Sequence, residues 1–378
     1  MDPLISIVTS YYNDEDFLAE SISSVLGQTY SNFEYILINH ASEDGSRDIA
    51  HSFHDPRIRH IDLAINSGGT GNMLVQIGME TAKGKYIKFF SADDILLPHA
   101  LERLLYTAEP NHADLVFGNI AFVDVHKKSL GRSYFKDVFP ANQTESFYLQ
   151  HFLLGHNVFP YPGHLIKTDM LQKVVKQLDC GIVAFADMTL WLRLLLSGAR
   201  LAFFTEPVVL YRIHANQMSS LSQQENTQRR MGFEAAKVVS CFFENLPSLS
   251  LCKKMFPHDA GVQSLNDGDQ LYIPFVLARY FACEGGYVGH RFMGRIYLSS
   301  ILSDPLMREK IRAKFHYGLS ELRKDLIARP IYIFDTAYGN AKNYSLRHIS
   351  YLFFRKLWFL LILRDYRRKR REKQKLTL

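Results

Sequence analysis

The chain has 378 residues, of which 47% are hydrophobic and 13% aromatic, so it can form a globular core and is not an intrinsically disordered protein. Its formal net charge of +6 comes from the C-terminal end, because residues 347–378 hold 11 Lys or Arg and two acidic residues. The rest of the chain is slightly acidic. It lacks the basic surface that a nucleic-acid-binding core requires, and we expect no nucleic-acid partner.

Targeting and redox features point to the cytoplasm. The sequence contains no uninterrupted apolar stretch of about 18 residues, the length that a membrane-spanning helix needs. Its N-terminus, MDPLISIVTS, lacks the basic and hydrophobic regions of a signal peptide. The four cysteines lie far apart and form no CxxC pair, so we expect reduced thiols and neither a disulfide framework nor a zinc site.

Strand and helix patterns alternate over the first 120 residues. Strands are predicted at 4–10, 33–39, 57–62, 85–90 and 114–119, with amphipathic helices between them. This order predicts an α/β fold with a mostly parallel central sheet flanked by helices. Polar side chains that follow such strands are expected to meet in one crevice at the carboxyl edge of the sheet.

The second half of the chain is less regular. A strong helix pattern at 184–198 ends at Gly198, a residue typical of helix C-termini. The segments RLAFF and PVVLYRIH follow as predicted strands, and residues 221–345 have a mostly helical pattern without a recognisable motif.

Two adjacent acids interrupt an apolar run in KYIKFFSADDILLP, residues 85–98. Like charges side by side repel each other unless a cation or several hydrogen-bond donors neutralise them. Asp93 and Asp94 at a strand end would suit Mg²⁺ or Mn²⁺ that carries substrate phosphates. The alternative is that one of the two caps the following helix.

Several segments resemble the family-2 glycosyltransferases of GT-A fold. LISIVTSYYNDEDF, SVLGQTY, NFEYILI and KYIKFFSADD carry the resemblance in the first third of the chain, and FADMTLWLRLLLSG with VVLYRIHANQ carries it further on. The resemblance implies a Rossmann-like GT-A domain over 1–220, followed by a helical C-terminal domain over 221–345 and a tail over 346–378. It also implies an enzyme that transfers sugars from nucleotide donors.

The resemblance also implies roles for particular residues. Asp187 falls on the position of the general base in inverting members, where it would take the proton of the acceptor hydroxyl. Asp93, Asp94 and His214 fall on positions that bind a divalent metal, Mg²⁺ or Mn²⁺. The expected contacts to the nucleotide-sugar are Thr9, Ser10, Tyr11, Tyr12, Asn39, His40, Asn66, Gly69, Asp93 and Arg212.

Each role has a structural alternative. Asp187 would serve equally as the N-cap of its helix. His214 would form an ordinary hydrogen bond at a strand end, and Asn66 and Gly69 would form a turn.

The chain departs from the family pattern at three places. Asn39 and His40 stand where the family usually has two acids, so the aspartate that would read uracil is missing. Ser91 replaces the first acid of the DxD-type motif, and Ala186 replaces the acid before the proposed base. These changes leave the donor nucleotide open.

The tail joins an aromatic, leucine-rich stretch to a dense basic cluster, ISYLFFRKLWFLLILRDYRRKRREKQK at 349–375. This pattern is typical of a helix that lies in the membrane interface and is attracted to anionic lipid. The alternative is a solvated helix on the protein surface. With the interfacial interpretation, the protein would be peripheral on the inner face of the cell membrane.

The sequence therefore predicts an inverting, metal-assisted glycosyltransferase. Its donor would be a nucleotide-diphospho-sugar, and its acceptor a hydroxyl of a glycan or lipid-linked molecule in surface polysaccharide assembly. Two alternatives stay open: a nucleotidyl or other phosphate-linked transferase on the same fold, and a catalytically impaired binding or scaffold protein.

Overall fold

The computed structural model describes residues 2–66, 71–179, 181–215, 217 and 225–328. The chain divides into Met1–Ile331 and Tyr332–Leu378, and the second unit lies outside the described residues. The predictions for Gly69 and for the tail at 349–375 therefore also lie outside them. Within the described ranges, no helix is both long and apolar enough to cross a membrane.

A single sheet of nine strands is present in the described part of the chain, in the order β3-β2-β1-β4-β8-β6-β9-β5, with β7 beside β6. The strands are β1 (Ile5–Tyr11), β2 (Phe33–Asn39), β3 (Ile58–Asp62), β4 (Tyr86–Ser91), β5 (Ile95–Leu96), β6 (Leu115–Val123), β7 (Ser129–Ser133), β8 (His164–Lys167) and β9 (Leu201–Arg212).

The helices before residue 200 are α1 (Leu18–Leu26), α2 (Ser46–Ser52), α3 (Gly71–Thr81), α4 (Ala100–Ala108), α5 (Tyr134–Asp137), α6 (Glu145–Leu154), α7 (Thr168–Val175) and α8 (Ala186–Leu196). Those after it are α9 (Glu225–Glu244), α10 (Leu249–Met255), α11 (Ala260–Gln263), α12 (Ile273–Glu284), α13 (Val288–Ser303), α14 (Pro305–Phe315) and α15 (Leu319–Ala328). Two 3₁₀ turns, Tyr161–Gly163 and Asp267–Tyr272, complete the described secondary structure.

The predicted fold class is confirmed, but the sheet is more mixed than expected. Strands β3, β2, β1 and β4 are parallel, as the strand–helix alternation predicts. Strand β8, which follows the 3₁₀ turn Tyr161–Gly163, then enters antiparallel between β4 and β6. The two strands predicted near 200–214 are one strand, β9, whose pairing with β6 shifts register around Asn119.

Alternation along the strands separates two apolar layers, one on each face of the sheet. Val8, Ile36 and Phe89 belong to one layer, and their sequence neighbours Ile7 and Phe90 belong to the other. This period of two is that of extended strands buried on both faces.

The helices after residue 224 share the first of these layers. Val238 and Phe242 of α9 and Phe281 of α12 lie in the same apolar cluster as Trp191 of α8. The C-terminal helices thus pack onto the helix that carries Asp187. The domain boundary at residue 220 stays a prediction.

The connection after β4 rules out one alternative for the paired acids. The short strand β5 follows Asp94 directly, and α4 begins only at Ala100 with His99 as its N-cap. Asp93 and Asp94 therefore do not cap a helix. They lie where β4 leaves the sheet.

Candidate active site

The chain segments that follow β4 and β9 meet in a group of four residues, Asp93, Asp94, Arg212 and His214, which we call the β4–β9 cluster. His214 Nε2 lies 3.0 Å from Asp93 Oδ2. The Asp93 side chain is 23% exposed and the His214 side chain 11%, so solvent reaches the pair. The structure thus brings together two of the three predicted metal ligands.

Asp94, the third predicted metal ligand, is fully buried. Its Oδ1 accepts a 3.0 Å hydrogen bond from the backbone N–H of Arg212. Burial, followed by the neighbouring charge of Asp93, raises its carboxyl pKa well above the ordinary range. Through Oδ1, Asp94 joins β4 to β9, whereas its Oδ2 has no hydrogen-bond partner among the described residues. Its role as a metal ligand stays a prediction.

Arg212 is also buried, with 2% of its side chain exposed. Its guanidinium donates to the backbone oxygens of Asp93 at 2.8 Å and Val125 at 3.0 Å, and to Glu20 Oε2 at 2.6 Å. Each guanidinium nitrogen thus has a protein acceptor, and almost no surface is left for a phosphate. These contacts hold the backbone of Asp93. A contact of Arg212 with the donor stays a prediction.

Asp14 is a carboxyl near this cluster that sequence reasoning missed. Its Oδ2 accepts a 2.9 Å hydrogen bond from the backbone N–H of Tyr12. Desolvation raises its pKa to about 6, the charge of Asp93 adds to the shift, and the charge of His214 opposes it. The sequence does not single out Asp14, because the motif DED offers three acids in a row and spacing alone does not select one of them.

A second group, the β2–β3 cluster, consists of Asn39, His40, Arg47, His51 and Asp62. Asn39 and Asp62 are partners in register, and Asn39 Nδ2 donates to Asp62 Oδ1 at 3.0 Å. Asp62 Oδ2 lies 3.1 Å from Arg47 Nη2 and 3.3 Å from His51 Nε2. Although the acid expected at position 39 is missing, a carboxylate is present one strand away.

The charge state of this cluster follows from these contacts. Desolvation would raise the pKa of Asp62, but the hydrogen bonds from Asn39 and Arg47 together with the charge of Arg47 lower it below the ordinary value. Burial lowers the pKa of the His40 imidazole, so it is neutral at neutral pH. The cluster therefore presents an ionised carboxylate beside a guanidinium.

The remaining predicted donor contacts differ in exposure. Thr9 is fully buried, and its Oγ1 accepts a 3.1 Å hydrogen bond from the Tyr35 hydroxyl. Tyr11 is 1% exposed, whereas Tyr12 is 39% exposed. Ser10 is half-buried and Asn66 is exposed. Thr9 and Tyr11 therefore support the strand end from the interior, and Ser10, Tyr12 and Asn66 are the ones that solvent reaches.

Asp187 lies in the first turn of α8, where it accepts two hydrogen bonds. Asn157 Nδ2 donates to Oδ2 at 2.5 Å, and the backbone N–H of Met188 donates to Oδ1 at 2.7 Å. The N-cap of α8 is Phe185, so Asp187 does not have the capping role considered as its alternative. The residue as a whole is half-buried, and desolvation raises the pKa of its carboxyl to about 6.

Lys88 connects the strand of the paired acids to the surroundings of Asp187. This fully buried lysine donates from Nζ to the backbone oxygens of Pro162 at 2.6 Å and His164 at 3.0 Å. Burial lowers its pKa to about 7, against the charge of Asp94. Tyr161, at the start of the same turn, has a phenol pKa raised first by burial and then by the charge of Asp187. Sequence reasoning missed Lys88 because it resembles any lysine of an alternating strand.

Two of the predicted metal ligands, Asp93 and His214, are in contact with each other and partly exposed. Among the described residues, no three His, Cys, Asp or Glu side chains come together as a metal site. Mg²⁺ usually takes only one or two protein carboxylates and completes its shell with water and substrate phosphate. The partly exposed Asp93 carboxylate beside His214 fits an ion of that kind.

Comparisons with known proteins decide the family. Residues 6–174 match the family model "Glycosyl transferase family 2". The chain carries a family-2 glycosyltransferase domain. An uncharacterized glycosyltransferase of Haemophilus influenzae is 28% identical over 234 residues, which are 60% of this chain and 70% of the relative. Another, of Methanocaldococcus jannaschii, is 27% identical over 232 residues, 59% of this chain and 76% of the relative. The predicted family and enzyme class are confirmed.

A solved structure extends the likeness beyond the matched domain of this glycosyltransferase. S. aureus TarS 1–349, crystallised with UDP-GlcNAc, superposes with a TM-score of 0.51 at 15% identity over 86% of this chain and 90% of TarS. At this identity the likeness shows the fold alone.

Proposed function

We propose that this glycosyltransferase moves a sugar, with inversion, from a nucleotide-diphospho-sugar to a hydroxyl of a glycan or lipid-linked acceptor. The observation that carries the proposal is Asp187, whose carboxyl is oriented by Asn157 and has a pKa raised to about 6. A base of this pKa is mostly ionised at neutral pH and can still take a proton from a hydroxyl in the transition state.

The proposed step balances as a single displacement. Asp187 removes the acceptor hydroxyl proton while the hydroxyl oxygen forms a bond to the anomeric carbon of the sugar. The bond from that carbon to the diphosphate oxygen breaks on the opposite face, and its electron pair leaves with the nucleoside diphosphate. One displacement of this geometry inverts the anomeric configuration.

The donor diphosphate is assigned to the β4–β9 cluster. Asp93 and His214 would hold Mg²⁺ or Mn²⁺ there, and such an ion supplies charge neutralisation to the leaving diphosphate. Arg212 fixes the Asp93 backbone through its 2.8 Å hydrogen bond, so the carboxylate needs little reorganisation on binding.

The nucleobase is assigned to the β2–β3 cluster. Asp62 is the ionised carboxylate at this corner, and its register partner Asn39 occupies the position of the missing acid. We propose that Asp62 takes over the hydrogen bonding of the base. Peripheral attachment to the inner face of the membrane through 349–375 stays a prediction, which liposome binding of the full chain and of a chain that ends at residue 348 would test.

The test is a donor panel of UDP-glucose, UDP-N-acetylglucosamine, UDP-galactose and GDP-mannose with Mn²⁺, scored for release of nucleoside diphosphate. We expect one donor to respond and Asp187→Asn to lower the rate at least about 100-fold with unchanged donor affinity. Asp169→Asn is the matched control, because Asp169 lies exposed in the first turn of the neighbouring helix α7.

Each contrary result identifies an alternative. Release of nucleoside monophosphate with sugar phosphate would indicate a phosphate-linked transferase on the same fold. Donor binding without any release would indicate a binding protein. A product with retained anomeric configuration by NMR, or a wild-type rate in Asp187→Asn, would contradict the proposed base.

A further inference from the structure

Glu234 of α9 is a fully buried carboxylate that reaches the segment in front of α8. Its Oε2 accepts hydrogen bonds from the backbone N–H groups of Val183 at 3.1 Å and Phe185 at 3.0 Å. Both donors precede α8, the helix that carries Asp187, and Phe185 lies two residues before Asp187. A residue from the C-terminal helices thus holds the chain next to the proposed base.

The N-cap residue of α8 has no side-chain cap. Phe185 makes no side-chain cap hydrogen bond, and Ala186 at the first helical position has no polar side chain. Helix N-termini leave backbone N–H groups without partners and favour negative charge nearby. Asp187 supplies an acceptor within the first turn, and Glu234 supplies from another helix an acceptor for the N–H of the N-cap residue and for that of Val183.

A buried carboxylate is a costly way to fill space. Among the described residues, the partners of Glu234 are the two backbone N–H groups and the guanidinium of Arg230, whose Nε lies 3.5 Å from Oε1. An apolar side chain of the same size would pack at less cost in desolvation. The two backbone hydrogen bonds are what this carboxylate provides and an apolar side chain could not.

A second contact from the C-terminal helices lies near Asn157, the hydrogen-bond partner of Asp187. Asn157 follows Gly155 at the end of α6, and a Cβ added to Gly286 would collide with the backbone oxygen of Leu154. The Tyr287 ring next to Gly286 lies edge-on to Phe185, with ring centroids 5.1 Å apart. The chain just before α13 therefore contacts the approach to Asn157 and the approach to Asp187.

Helices α9 and α13 also approach each other closely at two glycines. A Cβ added to Gly289 would collide with the backbone oxygen of Gly232, which lies two residues before Glu234. Such close backbone packing fixes the position of Glu234 relative to α13.

We propose that Glu234 is a positioning residue for the base: through Val183 and Phe185 it fixes the start of α8, so that Asp187 stays aligned with Asn157. The inference rests on the proposed role of Asp187. It gives the C-terminal helices a function in catalysis that their sequence does not reveal.

The chain offers a matched control on the same pair of helices. Glu244 of α9 pairs with Arg193 of α8, with Oε2 2.7 Å from Nη2. Arg193 lies six residues beyond Asp187, about 9 Å along the helix. Removing Glu244 therefore also deletes a carboxylate of α9 that contacts α8, but one that pairs with a side chain at the far end of α8.

The experiment compares Glu234→Met, Glu234→Gln and Glu244→Met in the full chain, with the responding donor of the panel and Mn²⁺. We expect Glu234→Met to lower kcat about 10- to 100-fold with donor KM within about twofold, because a misplaced base slows the chemical step. Glu234→Gln should keep kcat within about threefold, since one amide oxygen can accept both hydrogen bonds. Glu244→Met should stay close to wild type. Should Glu234→Met not fold, Glu234→Asp, one methylene shorter, makes the same comparison.

Two further readouts separate positioning from general packing. Combined with Asp187→Asn, Glu234→Met should cause no additional loss of kcat. Amide hydrogen exchange of residues 181–190 should become faster in Glu234→Met and not in Glu244→Met.

Normal kcat in Glu234→Met while Asp187→Asn is slow would overturn the positioning role alone. Equal losses in Glu234→Met and Glu244→Met, or additive losses with Asp187→Asn, would also overturn it. A wild-type rate in Asp187→Asn would instead contradict the proposed function itself.

Discussion

The β4–β9 cluster and the β2–β3 cluster lie at the same edge of the sheet but depart differently from the family pattern. In the first, Asp93 and His214 keep their expected identities and lie 3.0 Å apart. In the second, both expected acids are replaced, and the carboxylate belongs to Asp62 on the neighbouring strand. The first cluster keeps its expected acid and histidine beside the substituted position Ser91, and in the second the carboxylate comes from a different strand.

With the proposed function, this difference follows from the ligand that each cluster would bind. A divalent ion needs hard oxygen ligands at fixed distances, so a ligand position tolerates little change. A nucleobase edge is read by hydrogen bonds, and a carboxylate from an adjacent strand can supply them from a slightly different direction. We therefore expect changes in the β4–β9 cluster to abolish the reaction and changes in the β2–β3 cluster to alter donor preference.

The largest effect is expected for Asp93→Ala. Loss of the accessible carboxylate should lower Mn²⁺-dependent release of nucleoside diphosphate about 100- to 1000-fold, because charge on the leaving group is no longer neutralised. Rates measured across a Mn²⁺ titration check this. An unchanged Mn²⁺ dependence would show that the metal is held elsewhere.

An intermediate effect is expected for Arg212→Met. It leaves Glu20 and the backbone oxygens of Asp93 and Val125 without their buried donor, which should cost about 2–4 kcal/mol of unfolding free energy. The control is Arg47→Met in the other cluster, where the arginine is 53% exposed and the loss should be much smaller. Urea denaturation measures both, and equal losses would remove the distinction between the clusters.

The smallest effect is expected for Asp62→Ala. Donor KM should rise about tenfold, the value of one hydrogen bond to a charged group, with kcat within about threefold. The Mn²⁺ dependence should not change. If KM is unaltered for each nucleotide of the panel, Asp62 does not read the base.

Much of the fold could be predicted from sequence, because β2 and α3 follow local periodicity that sequence displays directly. Asp93 is predicted as a ligand from its place at the end of a recognisable strand, whereas the role predicted for His214 rests on the family resemblance. The burial of individual polar side chains could not be predicted from the sequence. Asp94 and Arg212 have the chemistry of ligands, yet their mutual hydrogen bond joins positions 118 residues apart and puts both in the interior.

The residues that sequence reasoning missed owe their positions to long-range packing. Asp62 is the last residue of β3, and only its register pairing with Asn39 places it in the β2–β3 cluster. Asn157 and Glu234 lie in segments without a motif, and only the packing of α6 and α9 around α8 brings them to Asp187 or to the chain before it. A single sequence carries no local signal for such contacts.

The most direct test of the account is the pH dependence of kcat/KM for nucleoside diphosphate release. Asp187 must be ionised to act as base and its pKa is raised to about 6, so kcat/KM should rise with pH through about 6 and then level off. Asp14 also has a pKa of about 6, so Asp14→Asn is the control and should keep this rise. The account predicts that the rise disappears in Asp187→Asn. A rise that persists in Asp187→Asn, or one that Asp14→Asn abolishes, would contradict it.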